Sequence, residues 1–295
     1  MPVTHPFRFG LGKIEIPSPD LWQKKVIEAE SQGFDIVLVP DHLGRTAPFP
    51  ALVSAAAVSD LRIGTFVLNS GFYNSHLLAR DVATTDQLSN GRFELGLGTG
   101  YVHEEFAALG LDPGSPKDRV DALERTLTEL HAIFDDPDSL PRPAQDHVPL
   151  LVAGNGDRVL RIAAQHADIV GFIGMRYDPT AFGGLRPITH DQFAERIAYF
   201  DDVAGARNNS IERNLLIQTV VQTTDREAAF DHISQTQLPI PREELENSPL
   251  FLIGETSDIV DQIHRLREDY GISYITVMDI CQDAFVPVLE RLGGL

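Results

Sequence analysis

The sequence holds one cysteine, Cys281, in 295 residues, so no disulfide can form within the chain and a bridge-stapled secreted scaffold is excluded. Basic residues are also scarce. Twenty-four Lys and Arg stand against 43 Asp and Glu, a formal charge of −19, and such a surface repels nucleic-acid phosphates and anionic lipid heads alike. We expect neither a nucleic-acid nor a membrane partner. No apolar run approaches the roughly 18 residues of a bilayer span, and nothing after Met1 reads as a signal peptide, since His5 and Arg8 lead into no sustained apolar core. A cytoplasmic location is the expectation.

What remains is an ordinary globular composition, 43% hydrophobic and 23% charged, which excludes a disordered chain, a collagen or a coiled coil. The length exceeds the roughly 100–200 residues of an average domain but suits a barrel of eight strand–helix units, which runs to about 250. We expect one domain over residues 1–295, without a composition break. Short apolar runs recur at Phe7–Leu11, Ile36–Val39, Ile63–Leu68, Phe93–Leu97, Leu150–Ala153, Ile169–Ile173, Leu215–Val221 and Tyr274–Met278. Most are continuous rather than alternating, as in parallel strands covered on both faces. The pattern predicts an α/β fold, a (β/α)8 TIM barrel.

The intervening segments read as helices. Ser18 can cap the first and Pro19 suits its opening position; Leu21, Trp22, Val26 and Ala29 form a stripe, and Gly33 can end it. Leu77–Leu88 and Arg119–Phe134 are helical in pattern. Three irregular stretches interrupt the repeat: 135–149, expected on the barrel's far side, and 174–190 and 235–250, expected over its mouth as candidate lids.

Parallel barrels build their sites where strands end, so polar residues at those ends carry the functional weight. Asp41-His42 pairs an anionic group with one that titrates near neutrality, which suits holding a proton, orienting a ring or ligating a metal. A metal needs further ligands. No His-x-His, His-x-x-Glu or cysteine pair lies near the other strand ends, so we expect none. Asn69 follows the third run, Gly98-Thr99-Gly100-Tyr101 the fourth and Gly154-Asn155-Gly156 the fifth. Glycines let a flat ring or a phosphate approach the backbone, and the last pair precedes a helix whose free N–H groups suit an anion, with Arg158 at hand. A turn requiring glycine is the plain alternative.

Read in order, these strand ends resemble the luciferase-like flavin and deazaflavin oxidoreductases over nearly the whole chain. The stretches that carry the likeness are 34–42, 61–69, 86–101 (the most specific) and 153–168. The resemblance implies a bacterial luciferase-like barrel with a tricyclic cofactor in its mouth, coenzyme F420 or FMN, and a homodimer. By the same resemblance Asp41 and His42 flank the ring, with His42 the acid or base and Asp41 orienting it or the ring. Phe66-Val67 matches a non-proline cis peptide pressing on one ring face, and Asn69 meets the ring's polar end. Gly98, Gly100 and Tyr101 border it, and Gly154, Asn155 and Gly156 hold the phosphate. The sequence also departs from the pattern. Tyr101 stands where the family often has Trp and its sugar-phosphate dehydrogenases have Glu, and Ile280, Cys281 and Gln282 offer no basic group for a substrate phosphate. Glu104 and Tyr101 are secondary candidates for substrate protonation, and Arg176, Tyr177, Phe182 and Arg186 hint at an aromatic or anionic small-molecule ligand. The expected activity is F420-dependent hydride transfer; an FMN-dependent monooxygenase and a non-catalytic flavin-binding paralogue are the alternatives.

Overall fold

Strand and helix alternate along the chain as the apolar runs predict. The computed structural model describes residues 5–12, 15–178, 181 and 184–293. Its first half runs β1 (Arg8–Gly12), α1 (Pro19–Ser31), β2 (Ile36–Val39), α2 (Pro48–Ala56), β3 (Arg62–Thr65), β4 (Leu68–Asn69), α3 (Ser75–Leu88), β5 (Phe93–Gly98), α4 (His103–Ala108) and α5 (Pro116–Asp135). Then follow β6 (Leu150–Ala153), α6 (Asp157–His166), β7 (Ile169–Phe172), β8 (Met175–Tyr177), β9 (Leu185–Pro187) and α7 (His190–Ala204). The chain ends with β10 (Glu212–Ile217), β11 (Thr219–Gln222), α8 (Arg226–Thr236), α9 (Arg242–Glu246), β12 (Phe251–Gly254), α10 (Thr256–Tyr270), β13 (Tyr274–Met278) and α11 (Gln282–Leu292).

The main sheet has the order β3-β2-β1-β13-β10-β7-β6-β5-β4, and β3 also pairs with β5. That extra pairing closes it into the expected eight-staved parallel (β/α)8 barrel, with β3 and β4 sharing one stave. Helix α1 is built as its sequence dictates: Ser18 Oγ accepts from the Leu21 N–H at 3.3 Å, and Trp22, Val26 and Ala29 are buried. Leu21 instead faces outward, 39% exposed.

Other expectations need correction. The run 215–221 is not one strand: β10 stays in the barrel while β11 leaves it to pair in parallel with β12. The break falls at Gln218, whose N–H donates to Leu250 O; the polar pair Gln218-Thr219 interrupts the apolar run there, but two polar residues fit inside one strand as readily as between two. Within 174–190, β8 and β9 form an antiparallel hairpin, and 235–250 contains α9. Segment 135–149 does lie at the far end, where Gln145 donates from its backbone to Asp86 and from its side chain to Asp86 and Phe93 O.

Inside the barrel, Ile36, Leu38, Leu151, Ala153, Ile169 and Tyr274 form a packed layer separate from the helix-facing core. Beneath it, at the strands' N-terminal end, Arg8 binds Glu94 at 2.5 Å and Glu212 at 2.7 Å, Arg62 binds Glu94 at 2.5 Å, and the Arg8 guanidinium lies 4.5 Å over the Tyr274 ring. Charge therefore seals the closed end.

The third stave contains a bulge. Between the pairs Gly64–Glu94 and Leu68–Leu97, three residues, Thr65–Val67, stand against two, Leu95 and Gly96. Thr65 Oγ1 restores the lost ladder bonds, accepting from the Gly96 N–H at 2.8 Å and donating to its carbonyl at 2.9 Å. A Cβ on Gly96 would collide with the Thr65 carbonyl, so the seam requires glycine there. Thr65→Val leaves both buried Gly96 groups unpaired and should lower unfolding free energy by about 2–4 kcal/mol, whereas Thr65→Ser, which keeps the hydroxyl, should recover most of that loss. Denaturant unfolding of both variants measures the difference.

Candidate active site

The open end of the barrel gathers the predicted residues on four successive connections. Asp41 and His42 follow β2, Phe66 and Val67 form the bulge between β3 and β4, Asn69 ends β4, Gly98 ends β5 ahead of Gly100 and Tyr101, and Gly154–Gly156 follow β6. The Phe66–Val67 peptide is cis, as the likeness implies. Phe66, Val67 and Ile173 are half-buried and pack on the inner apolar layer. They present apolar surface at the mouth, the kind of floor on which a flat ring rests.

Two carboxylates stand there in different surroundings. Asp41 Oδ2 accepts from the Asn69 N–H at 3.2 Å and from the Tyr73 hydroxyl at 3.1 Å. Burial nevertheless pushes its carboxyl above the ordinary range, against the opposing pull of those two bonds and of His42. The second carboxylate is Glu105 on α4, whose Oε1 lies 2.9 Å from His42 Nδ1. An ionised Glu105 can only accept, so in that pair His42 donates from Nδ1 and Nε2 is the ring nitrogen that can accept a proton. The hydrogen-bond partner of His42 is Glu105, while Asp41 is held by Asn69 and Tyr73. Glu104, the expected candidate, is exposed. Sequence offered a weak sign of Glu105, an acid in the first turn of a helix, and none of Tyr73. The His42 ring meets Tyr101 edge-on at 6.0 Å.

The glycines are placed by contact. At Gly100 φ is +66°, and any side chain would run into the Asn69 amide; at Gly98 a Cβ would come within 2.8 Å of Val67 Cγ2. Gly156 is different: a Cβ there meets nothing within 4 Å, and α6 begins at this residue with no side chain capping it. Its first N–H groups are open to an anion. The Asn155 side chain is committed elsewhere, donating to Met175 O at 2.8 Å and accepting from the Ile173 N–H, so only its backbone faces the helix start. Arg158 is likewise spent, bound to Asp121 at 2.6 Å and Glu124 at 3.2 Å.

At the β8–β9 hairpin, Arg186 pairs with Asp178 and with Glu244 of α9, Arg176 reaches Asp178 at 3.8 Å, and Tyr177 is exposed. Those positive charges are already partnered. Phe182 lies outside the described residues. No group of three or more potential ligands for a metal ion occurs among the described residues, and none of the described helices is long and apolar enough to cross a membrane.

A family model for luciferase-like monooxygenases matches residues 22–248, well over half of the chain. The chain belongs to that family. Among its luciferase-like relatives, the pyrimidine monooxygenase RutA of Acinetobacter baylyi is 29% identical over 72% of this chain and 62% of its own length. An F420-dependent glucose-6-phosphate dehydrogenase of Nakamurella multipartita is 29% identical over 76% of this chain and 70% of its own. The chain spans only about half the length of three uncharacterised mycobacterial relatives, 52% in each case. Solved structures share the fold: an F420-dependent secondary alcohol dehydrogenase with an F420–acetone adduct superposes with TM-score 0.76 at 17% identity, over 96% of this chain and 99% of that one. A long-chain alkane monooxygenase does so with TM-score 0.76 at 13% identity, over 99% and 92%.

Because the raised Asp41 pKa belongs to the folded state, its ionisation costs stability: unfolding free energy falls as pH rises from about 3.9, the unfolded value, through the folded one. Tyr73→Phe removes a donor that favours the carboxylate, so Asp41 should titrate still higher. A 13C-carboxyl NMR titration reads this directly; an unmoved or lowered midpoint contradicts the assignment.

Proposed function

We propose that this protein is an oxidoreductase whose barrel mouth holds coenzyme F420 and brings a small organic substrate against its ring. The observation that carries this reading is the convergence at one mouth of an apolar floor, a proton-accepting His42 Nε2 and an uncapped helix start. The residues fit such a group. Phe66 and Val67 would back the ring, and Asn69, Gly98, Gly100 and Tyr101 would border it. The backbone of Gly154, Asn155 and Gly156 would take the phosphate, which an acidic chain must hold by local donors rather than by net charge.

When bound, the deazaflavin supplies a ring carbon that exchanges a hydride with the substrate. His42 manages the accompanying proton, taking it at Nε2 from a substrate hydroxyl or returning it to a carbonyl oxygen, with the imidazolium stabilised by Glu105 at Nδ1. Asp41 presents a buried carboxyl anchored by Asn69 and Tyr73, which ties the connection after β2 to that after β4 and sets the edge of the ring pocket. Tyr101 stands at the rim, 59% exposed, where it shields the substrate side. Ile280, Cys281 and Gln282, directly after β13, include no basic group, and Ile280 is exposed and Cys281 buried, so the sugar phosphate of the dehydrogenase relative is not carried over.

A second reading is an FMN-dependent monooxygenase, favoured by the likeness to the pyrimidine monooxygenase. Absorption titrations with F420 and with FMN separate the two. Perturbation by F420 supports the first reading, perturbation by FMN alone replaces it with the second, and binding without any turnover leaves a flavin-binding paralogue. We place the protein in the cytoplasm as a homodimer.

Two variants test the assigned roles. His42→Ala should bind cofactor as wild type does while losing turnover about 100-fold or more, the usual worth of a positioned acid or base; unchanged steady-state kinetics would refute its role. Gly156→Glu has room for its side chain, so the fold survives while a carboxylate faces the phosphate. Cofactor affinity should fall about tenfold or more, ~1.4 kcal/mol, and a titration showing no loss removes the helix start from the site.

A further inference from the structure

Large apolar side chains that the fold leaves uncovered border the open end. Ile16 follows β1, Leu43 follows β2, Tyr101 follows β5, Tyr177 lies in β8 after β7, and Ile280 follows β13. The connections of five of the eight staves thus each expose one, by 40–83%. Single apolar residues scattered over a surface are ordinary, whereas a set gathered around one opening marks a place that an apolar body covers. Two of the five stand at His42 itself: Leu43 is the next residue, and the Tyr101 ring meets the imidazole edge-on at 6.0 Å. Beside them the connections after β1 and β2 border an opening of about 500 Å³, lined by Ile16, Ala47, Pro50 and Ala51 among others. The Arg45 N–H ties its wall to the His42 carbonyl at 3.1 Å.

The charges on these connections limit what the covering molecule can be. Their arginines are Arg45, Arg176 and Arg186, and each has a carboxylate beside it. Arg45 binds Glu15 at 2.5 Å, Arg186 binds Asp178 at 3.3 Å and Glu244 at 2.8 Å, and Arg176 has Asp178 at 3.8 Å. The charge left over is negative: the Asp279 side chain, next to Ile280, makes no ion pair or hydrogen bond among the described residues. An anionic group brought against this rim gives up its water and gains no partner in exchange. One carboxylate in contact with solvent adds little to the binding of a cation.

We propose, on the reading of this mouth as the reaction site, that its substrate is an uncharged, largely apolar or aromatic molecule selected by Leu43, Tyr101 and Ile280, with a single hydroxyl or carbonyl turned to His42 Nε2. The pairing of the arginines decides between the aromatic and the anionic ligand that the sequence leaves open: Tyr177 stays exposed, while Arg176 and Arg186 on either side of the hairpin are occupied.

The test uses three ligands that share one ring and differ in head group: 2-naphthylmethanol, which is neutral, 2-naphthoate, an anion, and 2-naphthylmethylamine, a cation. Each is titrated into the full chain without cofactor at matched ionic strength, with the leucine and isoleucine methyl groups followed by NMR. The alcohol should bind saturably, shift the methyls of Leu43 and Ile280, and bind about tenfold or more tighter than either ion. Ile280→Ser and Tyr101→Ser should each raise its Kd about threefold or more, whereas Leu88→Ser, which removes another exposed apolar side chain at the end of α3, leaves it unchanged. An ion that binds as tightly as the alcohol, no saturation by any of the three, or shifts that spare Leu43 and Ile280 overturns the proposal. So does a dimer, followed by sedimentation, that Ile280→Ser dissociates, because a second copy of the chain then covers the rim. No cofactor enters these readouts, so a mouth that takes neither F420 nor FMN and a rim that does not prefer the alcohol are separate results.

Discussion

The third stave carries one residue more than the ladder it joins, and the open end of the barrel is arranged around that surplus. Thr65 completes the interrupted ladder from its side chain, Gly96 makes room for the Thr65 carbonyl, and the freed residues Phe66 and Val67 turn toward the mouth. Asn69 then arrives with its backbone N–H on Asp41 and its amide against Gly100. Three connections are thus registered to one another through a single irregularity. A regular ladder would alternate these side chains between the core and the helices and leave no apolar floor at the rim.

That floor separates two polar regions of opposite character. At the closed end Arg8 and Arg62 both bind Glu94, and Arg8 also binds Glu212, at 2.5–2.7 Å. The Arg8 cation is stabilised above its usual range: burial works against it, but the fields of Glu94, Tyr274 and Glu212 outweigh burial. Fixed charges there serve register, because removing one partner from a buried pair costs about 3–5 kcal/mol. At the open end the carboxyls are poised differently. Asp41 is anchored by two donors yet pushed toward its neutral form, while Glu105 has His42 as its partner.

The barrel itself was legible because parallel strands buried on both faces leave continuous apolar runs, and all eight staves were found that way. The split of 215–221 was not, since Gln218-Thr219 can stand within one continuous strand as well as mark a change of partner. At the mouth, the placement of Asp41, His42 and the glycines at strand ends followed from βα repetition. Partnership did not follow. Asp41 and His42 are adjacent in sequence, but consecutive side chains leaving a strand diverge, and their hydrogen-bond partners come from other connections, Tyr73 from 32 residues away and Glu105 from 63. Adjacency in sequence places two groups on one loop, while hydrogen bonding is decided by which loops the barrel brings side by side.

The same logic explains why the acidic surface does not conflict with an anionic ligand. Of the cations near the mouth, Arg158 is held by Asp121 and Glu124, and Arg186 by Asp178 and Glu244. What stays available for a phosphate is the backbone: the start of α6, where Gly156 exposes N–H groups and adds no side chain. Backbone donors have fixed positions and no competing salt-bridge partners, so a site made from them remains open whatever carboxylates surround it. On the reading proposed above, an anion would be chosen by where its phosphate sits relative to the apolar floor, a distance that the barrel sets, and the net charge of −19 would discourage anions that cannot make both contacts at once.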